Sequence, residues 1–93
     1  MSGERVLVVE DESAVARGLQ YGLQSEGFEV WVADCGLKGI ELTKAKDPHV
    51  VLLDIRLPDI SGFDVCRRLR ADDIRCPIIF VTARDEEVDR VLG

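Results

Sequence analysis

The strongest constraint on this chain is the recurrence of short, wholly apolar runs: Val6-Leu7-Val8-Val9, Val50-Val51-Leu52-Leu53 and Ile78-Ile79-Phe80-Val81. A strand with one solvated face alternates apolar and polar residues. An unbroken β-favouring run therefore marks a strand covered on both faces, as in a parallel sheet between helices. The intervals carry the helices. Val15, Leu19 and Leu23 recur at helical spacing, with Ser13 as N-cap and Gly27 as terminator. Phe28 to Ala33, rich in Val, Trp and Phe, predicts a second strand. Leu37, Ile40 and Ala45 carry a second helix, closed by Asp47-Pro48, and it holds all the lysines, Lys38, Lys44 and Lys46.

A turn-rich loop, Arg56-Leu57-Pro58-Asp59-Ile60-Ser61-Gly62, precedes a third helix with Phe63, Cys66 and Leu69 on one side and Arg67, Arg68 and Arg70 on its solvated side. Pro77 opens the fourth strand, where a missing N–H is tolerated, and Asp85 to Leu92 has the acidic first turns of a fourth helix. The order β-α-β-α-β-α-β-α, with short connections, predicts right-handed crossovers and an α/β domain over residues 1–93, with helices on both faces of a parallel sheet.

Composition narrows the functions. Hydrophobic residues at 46% and charged residues at 32% exclude a disordered or low-complexity chain, and four-residue apolar runs are far too short to cross a bilayer. Met1-Ser2-Gly3-Glu4 has neither a signal nor an acylation pattern, so a cytoplasmic, membrane-free protein is expected. A formal charge of −6 argues against direct nucleic-acid binding and makes the arginine group a solvated face. Cys35, Cys66 and Cys76 form no C-x-x-C and read as small hydrophobes; Phe28 and Trp31 read as core or interface residues.

In an open parallel sheet, function gathers beyond the carboxyl ends of the strands. Glu10, Asp11 and Glu12 follow the first strand and Asp54 ends the third. If the strand order is 2-1-3-4, these strands are neighbours and their carboxylates converge. Such a cluster is costly unless a hard divalent cation neutralises it, and Mg²⁺ suits a few carboxylates that bridge to phosphate oxygens. The loop Glu10-Asp11-Glu12-Ser13-Ala14 contains no glycine-rich phosphate cradle, which argues against dinucleotide, P-loop and flavin readings. Beside a cation, Asp54 is placed to attack a phosphoryl group, with the Thr82 hydroxyl meeting an equatorial oxygen and Ala83 leaving room for the group. The plainer alternative stays open: Asp54 caps a loop, the acids start a helix, and Thr82 sits in a turn. His49 precedes the third strand and lies at the end away from the acids.

Val8-Val9-Glu10-Asp11-Glu12, Val51-Leu52-Leu53-Asp54-Ile55-Arg56-Leu57-Pro58, Ser61-Gly62 and Pro77-Ile78-Ile79-Phe80-Val81-Thr82-Ala83-Arg84 together resemble the receiver domain of bacterial two-component response regulators, nearest the subfamily with a winged-helix DNA-binding domain. The resemblance covers essentially the whole chain. It implies a flavodoxin-like doubly wound sheet, here four strands in the order 2-1-3-4. It also implies a phosphoryl group accepted on Asp54 from a histidine kinase, and Mg²⁺ bound by Asp11, Asp54, the Arg56 backbone carbonyl and Glu10. Thr82 and Ala83 would serve the phosphoryl group, and Pro58 and Gly62 would shape the adjacent loop. Such a protein is a switch rather than a turnover enzyme, limited to self-phosphorylation and slow self-dephosphorylation.

The family pattern continues into a fifth strand with a Lys-Pro pair and a fifth helix, which this sequence does not contain. From that departure a homodimer through the uncovered fourth strand and sheet face is expected. A rival reading is a noncatalytic dimerisation module derived from a receiver. A metal-dependent phosphatase fits less well, because the second acid it needs two residues after the nucleophile is replaced by Arg56.

Overall fold

The computed structural model describes residues 3–81. Four strands and three helices alternate: β1 (Arg5–Val9), α1 (Ser13–Ser25), β2 (Glu29–Ala33), α2 (Gly36–Lys46), β3 (Val50–Asp54), α3 (Gly62–Ala71) and β4 (Ile78–Val81). The strands pair in parallel in the order β2-β1-β3-β4, the flavodoxin-like arrangement. The region of the expected fourth helix, Asp85 to Leu92, lies outside the described residues, as do Thr82 and Ala83.

Successive residues on a strand face opposite ways, so each apolar run feeds two cores. Leu7, Val9, Ala33, Val51 and Leu53 point to the side covered by α2 and α3, where Val65 and Leu69 join them. Val6, Val8 and Val30 point to the other side, under Leu19 and Leu23 of α1. Full burial of each Leu or Val stabilises by roughly 1.5–3 kcal/mol; both faces of β1 supply it, and one face of β3, where Val51 and Leu53 are buried while Val50 and Leu52 are partly so.

Helix ends explain the chain reversals. α1 stops in a Schellman turn: the Phe28 N–H donates to the Leu23 carbonyl (3.2 Å), the Gly27 N–H donates to the Gln24 carbonyl (3.0 Å), and Gly27 takes φ +99°. α2 stops at Asp47, in the left-handed region at φ 51°. The N-cap of α1 differs from expectation: Ser13 is the first helical residue and Glu12 holds the cap position, without a side-chain cap bond.

The buried face of α2 also differs. Leu37 is 51% exposed and Ala45 is exposed, while Gly36, Gly39 and Thr43 are buried. The reason is proximity to the sheet: a Cβ on Gly39 would meet Val9 Cγ2 at 2.9 Å, so α2 lies close over β1 because a glycine is there. On α3, Val65 and Leu69 are buried, Cys66 is partly buried, and Phe63 is 45% exposed with its ring against Phe80 at 5.1 Å. Trp31 packs partly buried on the core with the Lys46 ammonium 5.4 Å from its ring. β2 and β4 are the outer strands among the described residues, and Ile79 on β4 is 52% exposed.

Candidate metal and phosphoacceptor site

The register creates the site. Val9 of β1 lies opposite Leu53 of β3, so the next residues, Glu10 and Asp54, leave the sheet side by side at its carboxyl edge. The Glu10 N–H donates to the Ala33 carbonyl at 2.9 Å, holding this end of the chain against β2. Asp11 follows at the surface. One carboxylate oxygen from each of Glu10, Asp11 and Asp54 lies within 4.8 Å of the others. Three of the residues named from the sequence are thereby brought together.

Glu10 is 2% exposed and Asp54 7%. Glu10 Oε2 accepts from the Glu12 N–H at 3.1 Å, whereas Oε1 is buried with no hydrogen-bond partner among the described residues. Asp54 Oδ1 accepts from the Arg56 N–H at 3.3 Å. Burial pushes the Glu10 carboxyl up to about 7; the Glu12 N–H opposes this, and the charge of Asp54, a proton that the protonated Glu10 shares with Asp54, and the charge of Asp11 add to it. Burial likewise raises Asp54, against the Arg56 N–H and a hydrogen bond from the protonated Glu10, and with the Asp11 charge. A buried carboxylate oxygen with no donor, facing two more carboxylates, fits a hard cation: such an ion supplies the missing positive charge and takes oxygen ligands.

The loop after Asp54 is shaped from beneath. Gly62 donates its N–H to the Ile55 carbonyl at 2.7 Å, and a Cβ there would fall on the Asp54 carbonyl oxygen, so α3 starts closer to the end of β3 than any other residue permits. Ser61 caps α3, its Oγ accepting from the Asp64 N–H at 3.1 Å. Arg56 follows Asp54 closely, with its side chain at the surface. Val81, the register partner of Asp54, is the last described residue.

One residue escaped the sequence reading. Asp59 accepts from the N–H groups of Gly36 (2.7 Å) and Leu37 (2.8 Å), capping α2 from a different part of the chain. The available signal was indirect: α2 starts after Cys35, which gives no side-chain cap. His49 lies where expected, at the far end of β3, its Nδ1 accepting from the Arg5 N–H at 2.9 Å. The cysteines are partly buried and unbonded.

A parallel sheet of order 2-1-3-4 with carboxylates converging beyond β1 and β3 defines a receiver-type α/β protein. The family model for the response regulator receiver domain matches residues 6–92, and the chain belongs to that family. It is 50% identical over 93 residues to the transcriptional regulatory protein CreB of Escherichia coli (strain K12), covering 100% of this chain and 41% of CreB. It is 38% identical over 90 residues to the alkaline phosphatase synthesis transcriptional regulatory protein PhoP of Bacillus subtilis (strain 168), covering 97% of this chain and 38% of PhoP. The chain thus spans about two fifths of these relatives. Both are named as transcriptional regulators, in agreement with the subfamily the motifs resemble. Among solved structures, the response regulator protein TrrA of Thermotoga maritima, in complex with Mg²⁺ and BeF, superposes with a TM-score of 0.82 at 34% identity, covering 92% of this chain and 73% of TrrA.

Proposed function

We propose that this chain is a two-component receiver that accepts a phosphoryl group on Asp54 from a histidine kinase in a Mg²⁺-dependent reaction. The observation that carries the reading is the trio of buried Glu10, buried Asp54 and exposed Asp11, with the donorless Glu10 oxygen. Membership of the receiver family and the likeness to TrrA with Mg²⁺ and BeF support it. Asp11, Asp54, the Arg56 backbone carbonyl and Glu10 would hold the ion, and Thr82 and Ala83 would receive the phosphoryl oxygens. Bound there, Mg²⁺ neutralises developing phosphoryl charge.

The chain's own residues do the rest. A carboxylate oxygen of Asp54 forms the new O–P bond as the N–P bond of the donor phosphohistidine breaks, and the histidine nitrogen keeps the electron pair and takes up a proton. The Arg56 N–H on Oδ1 orients the carboxylate for this attack. Glu10 must lose its proton for the pocket to reach full negative charge. The product is a stoichiometric acyl phosphate, so the protein is a switch without turnover. Association of two copies along β4 belongs to the same reading, supported by the exposed Ile79.

Intact mass after incubation with Mg²⁺ and a small acyl-phosphate donor tests the reading. One phosphoryl mass gained by the parent and none by Asp54→Asn is the expected result. No gain in a folded, Mg²⁺-binding parent would leave an association module in its place.

A further inference from the structure

The acidic pocket is enclosed by a circuit of contacts that Asp59 closes. From β1, Val9 lies under Gly39 of α2, where a Cβ would stand 3.1 Å or less from both Val9 methyl groups. From α2, the first two N–H groups, of Gly36 and Leu37, each donate to one oxygen of Asp59, at 2.7 and 2.8 Å. From Asp59 the chain runs back through Arg56 to Asp54, and forward to Gly62, pinned on the Ile55 carbonyl. β1 and β3 then join Glu10 to Asp54.

Two features show that the clamp is built tightly. Gly36 has no room for a side chain: a Cβ would stand 2.6 Å from Ile60 Cγ1, 2.9 Å from Val65 Cγ2 and 3.2 Å from Asp59 Oδ1. The α2 terminus has no side-chain cap from Cys35, so this long-range carboxylate takes the place of a local one. Desolvation pushes the Asp59 carboxyl up, but the N–H groups of Leu37, Gly36 and Ile60 outweigh it and bring it down to about 2, so the clamp is an anion at neutral pH.

We propose that Asp59 is a positioning residue for cation binding: by tying the 55–61 loop to the start of α2, it holds the Arg56 backbone against the carboxylates of Glu10, Asp11 and Asp54. Asp59 itself does not touch the ion. The inference rests on the Mg²⁺ part of the proposed function and extends it to a residue outside the carboxylate cluster.

Calorimetric Mg²⁺ titration of the parent, Asp59→Asn and Asp59→Ala tests it, together with the Mg²⁺ dependence of acyl-phosphate labelling. The expected loss of affinity in Asp59→Ala is roughly tenfold, the scale of groups that orient metal ligands. Asp59→Asn keeps one acceptor oxygen and falls between. The loss persists in about 1 M KCl, where the screening length is ~3 Å, and the maximal labelling rate returns at saturating Mg²⁺.

Parent-like affinity in a folded Asp59→Ala would overturn the proposal and leave Asp59 as a helix cap. A loss abolished by salt would also overturn it, as a through-space charge effect. Should Asp59→Ala not fold, Gly36→Ala keeps the carboxylate while forcing Ile60 and Val65 aside, and the same loss of affinity is expected; unchanged affinity there would count against the clamp. A parent that does not bind Mg²⁺ overturns this inference and the metal reading together. A parent that binds Mg²⁺ but is never labelled removes only the phosphoacceptor.

Discussion

The two ends of the sheet treat their polar groups in opposite ways. At the amino end, the Arg5 guanidinium donates to the carbonyls of Lys46 (3.0 Å) and Asp47 (2.8 Å), the Arg5 N–H donates to His49 Nδ1, and the His49 N–H donates to the Arg5 carbonyl at 2.8 Å. Donors and acceptors match there, and Asp47 adds an opposite charge 3.9 Å from Arg5. At the carboxyl end, three carboxylates share a small volume and one buried oxygen has no donor. The first end is complete as protein; the second leaves a buried acceptor oxygen that the proposed cation would satisfy. Local chemistry separates structure from function here, because the same strands β1 and β3 supply both ends.

The comparison breaks or sharpens through variants at each end. The largest effect is expected for Glu10→Gln and Asp11→Asn, which should weaken Mg²⁺ binding by roughly a hundredfold, the upper end of the range for groups around a metal. Calorimetric titration reads it, and near-parent affinity in both would end the distinction between the two ends. Next, Arg5→Ala should lower unfolding free energy by about 2 kcal/mol, since its charged hydrogen bonds to two carbonyls are lost, while Mg²⁺ affinity stays at the parent value. Urea denaturation with and without the ion separates these outcomes.

A smaller effect carries a sign. Without metal, the folded Glu10 carboxyl holds its proton up to about 7, above its ordinary 4.5. The folded state therefore binds the proton more tightly than the unfolded chain does. This group's favourable contribution is full below its unfolded value and is lost as pH rises through about 7. Glu10→Gln, which cannot ionise, should stabilise the metal-free protein by roughly 1 kcal/mol at about pH 8 and by much less at about pH 4. Melting temperatures across that range check the sign, and a variant less stable than the parent at the higher pH would contradict it. Asp59 has the reverse dependence: held down to about 2, it adds stability above its ordinary 3.8 that disappears as pH falls through 2.

What could be read in advance follows from range. The runs Val6 to Val9 and Val50 to Leu53 announce buried strands because each residue carries its own hydropathy, and Glu10, Asp11 and Asp54 follow because strand ends place them. The face of α2 was misread because Gly36 and Gly39 have no hydropathy to display; what buries them is closeness to Val9, Ile60 and Val65. Ser13 looked like a cap because its type suits one, but the helix begins at Ser13 itself. Asp59 was passed over because its partners lie 22 and 23 residues away, beyond any local pattern. Thr82 and Ala83, read from the end of the fourth strand and again from the family resemblance, lie outside the described residues.

The central claim is that a cation completes the carboxyl end of the sheet. Mg²⁺ titration by calorimetry, repeated at about pH 7 in two buffers of different ionisation enthalpy, tests it most directly, because the metal must displace the proton held on the Glu10–Asp54 pair. The account predicts one bound Mg²⁺ with net proton release, both reduced in Glu10→Gln. No binding, or binding without proton release and indifferent to Glu10→Gln, would contradict it.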